Sequence, residues 1–248
     1  MPGVRLKKGS VIGSGGLAPE DFTADYGSVW VGSSKGSVKN VTPADDSYKT
    51  KDSIAPFGEA FYEGKADYFV LTLPWVVFYN LFWQILCAMY SNCSVVLSVY
   101  LVYYIKNYPA GYEEKSWLLF VYIFLVFSPL NLVVELFATF IDISSKWLIL
   151  GRREKGTFSW NRSSYCQRWQ IYLTIQKIRG NFIDLIHGSE YLCVYFRLLG
   201  ANIGREVCLY PNGGDPMMTE PELVTIGDYV SIDDASVIAH INTSGLFK

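Results

Sequence analysis

Two histidines, His187 and His240, are the only imidazoles in the chain. Imidazole, with an ordinary pKa of about 6.5, can take a proton from a substrate at neutral pH. His240 directly follows Ile238-Ala239, and six carboxylates, Asp215, Glu220, Glu222, Asp228, Asp233 and Asp234, crowd the stretch before it. A carboxylate that accepts a hydrogen bond from the ring would complete a base able to deprotonate an amine or hydroxyl acceptor. The competing account is a histidine packed at a backbone corner, with the carboxylates as exposed turn residues. His187, in LIHGSEYL, falls at the end of an expected helix that Gly188 stops, where a cationic ring suits the helix dipole. A structural role is expected there. The five cysteines show no CxxC or Cys/His spacing, so neither a zinc site nor a disulfide framework is indicated and no metal ligand is assigned.

These residues lie outside the most apolar part of the chain. Half of the 248 residues are apolar and 16% aromatic, with the excess concentrated in residues 68–150. From Tyr68 to Ile105 there is no Asp, Glu, Lys or Arg, whereas about 20 apolar residues suffice to cross a bilayer. Ser91-Asn92-Cys93-Ser94 leaves open one crossing or two in this block. The second block, Trp117 to Leu150, reads as one long crossing, with Pro129 expected to kink it and Glu135 as its one deep carboxylate. Glu135 marks either a helix-contact or functional site, or an interfacial position beyond the kink. KNYPAGYEEKS between the blocks has the breakers of a turn, so a transmembrane hairpin is expected. Arg152, Arg153, Lys155, Arg162 and Arg168 follow the second block, against Lys106 and Lys115 in the loop, which predicts that both polar ends are cytoplasmic. The start of the chain lacks a signal-peptide core, so the Asn-x-Ser/Thr triplets are expected to be chance matches. A formal charge of -2 gives no reason to expect a nucleic-acid partner.

A third pattern flanks the hairpin. Ile226, Ile232 and Ile238 recur every six residues, as do Ile203 with Leu209 and Leu6 with Ile12. Six is neither a helical nor a plain strand period, but it fits a left-handed parallel β-helix in which each hexad makes one flat face. The expected organisation is closing coils of one such β-helix in 1–40, a linker in 41–67 and the transmembrane region in 68–150. An amphipathic helical connection in 151–200 and the first coils of a second β-helix in 201–248 complete it. WNRSSYCQRWQIYLTIQKIRGNFIDL, residues 160–185, mixes aromatic, aliphatic and basic residues as a helix on a membrane surface would, with packing on the β-helix as the alternative. A stack needs about three coils to bury a core. The chain is therefore expected to be a segment that begins inside one β-helix and stops inside the next.

The phrases VRLKKGSVIGSGGLAP, GSVWVGSS, LILGRR, the pairs Ser159-Trp160 and Arg168-Trp169, YFRLLGANIG and TEPELVTIGDYVSIDDASVIAH occur in that order along nearly the whole chain. In these it resembles the C-terminal membrane region of nonribosomal peptide synthetases of the epsilon-poly-lysine-synthetase type and their fungal relatives. The resemblance implies hexapeptide-repeat domains alternating with pairs of transmembrane helices. It also implies an acyltransferase-like tail acting on an acyl or aminoacyl group held by a carrier. His240 matches the family's coil histidine, and Glu220 and Asp234, within the resembling stretch, are the carboxylates chosen to orient it. The donor would be phosphopantetheine-linked and supplied by a carrier domain outside this chain, which itself holds no cofactor. Partners would be the bilayer and either the remaining polypeptide or a carrier protein. No adenylation or carrier motif is present, so the isolated chain is expected to be inactive. A non-catalytic docking or scaffold segment is the alternative, and a transporter subunit is disfavoured by the few crossings.

Overall fold

A computed structural model describes residues 3–13, 15–34, 36–50, 57–107, 116–177, 182–213, 218–233, 235–243 and 245–248. Its largest elements are two helices, α2 (Leu73–Asn107) and α3 (Ser116–Ile149), which follow the short α1 (Gly58–Glu63). α2 runs unbroken through Ser91–Ser94, so the first apolar block makes one helix. Hydroxyl and amide side chains there bond one turn back, Ser91 to the Cys87 carbonyl and Asn92 to that of Ala88, which lets the helix continue. With 35 and 34 residues, each helix exceeds the roughly 30 Å of a hydrocarbon layer at 1.5 Å rise per residue. Both are long and apolar enough to cross a membrane. The loop residues between them lie outside the described set.

The two helices pack on each other through a thin polar seam. Ser94 donates to Asn131 (3.0 Å), Tyr90 donates to the Val134 carbonyl, and Ser98 bonds back to Ser94. Apolar side chains such as Phe82, Val96, Phe124 and Phe137 stay exposed on the outer faces. Exposed apolar surface on this scale marks contact with lipid or protein. Glu135 stands about four helical turns before the end of α3, which favours the helix-contact position over the interfacial one. Its Oε2 is buried without a hydrogen-bond partner among the described residues.

Both polar ends meet at one end of the hairpin. Ala60 N–H donates to Asn161 Oδ1 (3.0 Å), Tyr68 donates to the Trp160 carbonyl (2.8 Å), and Gln167 bridges the Phe69 carbonyl and the Leu71 N–H. Residues 57–71 and 158–171 therefore share one side. Three helices follow: α4 (Tyr165–Gln176), α5 (Phe182–Leu185) and α6 (Glu190–Leu198). α4 is held inward rather than lying free. It buries Tyr165, Cys166, Tyr172 and Ile175, and Arg168 donates to the Ile149 carbonyl, satisfying the open end of α3.

The hexads form short strands. At the start, β1 (Arg5–Leu6) pairs in parallel with β3 (Thr23–Ala24), and β2 (Val11–Ile12) with β4 (Val29–Ser34), each at an offset of three hexads. β4 then folds back antiparallel on β5 (Ser37–Thr42). In the tail, β7 (Asn202–Ile203) pairs in parallel with β9 (Thr225–Ile226), and β8 (Cys208–Leu209) with β10 (Ser231–Ile232), at three hexads plus five residues. The added residues belong to the loop after Leu209. Met218 then bridges Val237, six residues after Ser231, so the later strand keeps the hexad spacing. The tail ends in an antiparallel hairpin, β11 (Asn242–Thr243) with β12 (Leu246–Phe247), turned at Gly245 with φ 70°. β12 also pairs with β6 (Phe158–Ser159), tying the end of the chain to the segment that leaves α3.

Candidate functional site

The tail core is built by Leu192, Phe196 and Leu199 of α6 with Ile203, Leu209, Tyr210 and Ile226 of the hexads. A second cluster places Trp160, Tyr165, Cys166 and Tyr172 against Leu150 and Phe247. Between the two lies a seam of buried polar groups, and His240 is at one end of it.

Glu220 is fully buried and holds the imidazole. His240 Nδ1 lies 2.8 Å from Glu220 Oε1, which also accepts from Trp169 Nε1 at 3.2 Å. Oε2 accepts from the Thr219 hydroxyl at 2.5 Å and from the Ala239 N–H at 3.2 Å. A carboxylate offers about four acceptor sites, so this one is saturated. Burial pushes the Glu220 carboxyl up, but the bonds and charge of His240, the Thr219 hydroxyl and Arg153 outweigh it and leave it below its ordinary value. An ionised Glu220 can only accept, so the bond between them is donated by His240 Nδ1–H, and Nε2 is the ring nitrogen turned away from the carboxylate. Nε2 has no hydrogen bond to the described residues. The ring is clamped between Phe247, stacked at 4.7 Å and 16°, and Trp169, edge-on at 5.1 Å and 74°. The His240 side chain is 14% exposed. Rigid clamping, an oriented ring and residual access are what a general base requires.

The seam continues toward α3. Arg153 Nη1 lies 4.0 Å from Glu220 Oε1, and Arg153 Nη2 is 2.7 Å from Glu222 Oε2. Glu222 Oε1 meets Lys146 Nζ at 2.9 Å, and the Lys146 ammonium also sits over the Trp147 ring. One turn earlier on α3, the buried Asp142 accepts from the Tyr195 hydroxyl and bonds Tyr172. Burial raises the Tyr172 phenol, with the Asp142 charge adding to it. The Glu222 carboxyl is raised by burial but lowered further by Arg153, and ends below its ordinary value. Cys166, on α4, is pushed up to about 12 by burial and is no thiolate nucleophile at neutral pH.

Of the three residues chosen from the sequence, Glu220 and His240 are brought into contact. Asp234 lies outside the described residues, as does Asp215. Asp228 accepts from the Arg205 N–H and Asp233 from Asn212 Nδ2, so both serve turns. His187 is in the turn after α5, 3.8 Å from Asp184, and takes no part in the seam. Asp142 and Lys146 had no expected role, whereas Trp169 and Thr219 stood within the resembling phrases, and Arg153 stood there and among the topology charges. One signal was available. An aspartate and a lysine four apart in the last turns of an apolar helix are costly in lipid and imply a protein environment.

A cavity of about 550 Å³ adjoins the seam, between the first turns of α2 and α4, with Trp169 in its wall. No group of three or more His, Cys, Asp or Glu among the described residues could hold a metal ion. No family model matches the chain, and no curated protein or solved structure shows a significant match to it.

Proposed function

We propose that this chain is the membrane-anchored part of a hexapeptide-repeat acyltransferase-like enzyme in which His240, oriented by Glu220, is the general base. The 2.8 Å contact between His240 Nδ1 and the saturated carboxylate of Glu220 carries the reading. The class of fold rests on the parallel pairs of hexads at both ends, whose offset of three hexads in the first unit equals one turn of a triangular coil. The reaction rests on the sequence resemblance: transfer of an acyl or aminoacyl group from a thioester on a carrier domain or protein. His240 Nε2 takes a proton from the acceptor amine as the nitrogen bonds the acyl carbon. The C–S bond breaks, and the proton passes to the departing thiolate. α2 and α3 anchor the unit in the bilayer with both polar ends on the cytoplasmic side.

His240→Asn tests the base, because asparagine is similar in size but takes no proton near neutral pH. In membranes containing the intact protein, transfer from a carrier thioester should fall roughly 10²-fold or more. Unaltered turnover would remove the base role. Labelling of single cysteines in sealed vesicles should place residues 57–67 and 158–176 on the cytoplasmic face, and labelling from the other side would reverse the orientation. A docking or scaffold segment is the second reading, favoured by the near-complete packing of His240 between Phe247 and Trp169. It expects His240→Asn to alter stability and leave turnover alone.

A further inference from the structure

We infer that the cavity between the first turns of α2 and α4 seats one hydrocarbon chain of a bilayer lipid. At about 550 Å³ it falls within the roughly 300–1,000 Å³ of ligand sites. None of its lining residues is charged, and apolar groups such as Val70, Leu71, Ile171 and Leu173 dominate. Several polar groups of the wall are engaged within the protein. Tyr79 donates to the Ile171 carbonyl, Tyr68 to that of Trp160 and Asn80 to that of Val76, and Gln167 holds the backbone of Phe69 and Leu71. A phosphorylated or ionised ligand would find no counter-charge there, whereas an alkyl chain needs none.

The surroundings identify the source. Leu73 and Val76 of the wall belong to the first turns of α2, and the neighbouring Trp75, Val77 and Phe78 are exposed on the same turns. The cavity is thus continuous with the apolar surface that α2 would present to lipid, at the level where aromatic residues mark a membrane interface. A chain could enter sideways from the bilayer without crossing water. Trp169 joins this seat to the polar seam: it lines the cavity while its N–H holds Glu220 and its ring edge meets His240. The seat stands on the cavity and the apolar helices, independently of the base role of His240.

The test uses the full chain in phosphatidylcholine vesicles containing a phosphatidylcholine with a photoreactive diazirine at the end of one acyl chain. Mass spectrometry then maps the cross-links. Cross-links are expected on α4 near Leu173 as well as on the exposed face of α3 near Leu132 and Leu136. Leu173→Trp, which fills the cavity, and Gln170→Glu, which charges it, should each abolish the α4 cross-link and leave the α3 cross-links unchanged. The α3 signal reports that the variants insert normally. An α4 signal absent from the unaltered chain, or one that survives both substitutions, would overturn the seat. Turnover of His240→Asn is read separately, so the failure of one idea is not the failure of the other.

Discussion

The β-rich start of the chain and its β-rich tail use the same backbone device and bury different things under it. Each pairs strands in parallel over two residues and ends in an antiparallel hairpin. In the first unit the ion pairs lie outside: Lys7 with Asp25 and Lys49 with Asp46 are all exposed. In the tail, Lys146, Arg153, Glu220 and Glu222 are each no more than 3% exposed and form ion pairs with one another. The difference comes from what covers the strands. The last turns of α3 bring Asp142 and Lys146 onto the tail, and α4 brings Trp169, whereas nothing comparable is described over the first unit. The short parallel strands are common to both units, and buried polar groups gather only where other elements close over them.

The largest effect expected from this contrast is at Glu222. Glu222→Leu leaves Lys146 and Arg153 without their carboxylate, and breaking a buried pair in this way costs about 3–5 kcal/mol. Denaturant unfolding of the detergent-solubilised chain, followed by tail-unit probes, should show that loss. A cost no greater than at an exposed pair would abolish the distinction between the units. Next comes Tyr195→Phe, which deprives buried Asp142 of a donor and should cost about 1–3 kcal/mol in the same measurement.

Acid should also separate the two units. Glu220 and Glu222 are held below their ordinary pKa, so the stability they contribute is complete above the unfolded value, about 4.3. It is lost as pH falls through the lower folded values. Tail unfolding should therefore shift to lower denaturant as pH drops below about 4.3, and Glu220→Gln should flatten that slope. A tail whose stability is indifferent to acid would contradict the ionised state of both carboxylates. The smallest effect is expected at Lys7→Met. An exposed pair is screened by solvent, so the first unit's unfolding midpoint should not move.

The sequence alone determined what local rules govern. Apolar runs long enough to span marked α2 and α3, and the recurrence of isoleucine and leucine every six residues marked the residues that form β7 to β10, while the phase break after Leu209 left their partners open. Its choice of Glu220 as the partner of His240, made through a resemblance, agrees with the contact in the fold. Composition could not exclude two crossings in the first block, because the polar side chains of Ser91 and Asn92 suit a turn unless carbonyls one turn back satisfy them within a helix. Nor could it tell which basic residues near the second block face lipid headgroups. Arg153 is buried against Glu222 and Arg168 closes α3, because the tail folds back over the helix end. The buried groups that run from Lys146 through Glu222, Arg153 and Glu220 to His240 come from positions far apart in the chain. Only the packing of α3, α4 and the tail strands removes them from water together, and burial is what turns scattered charges into one chain of ion pairs.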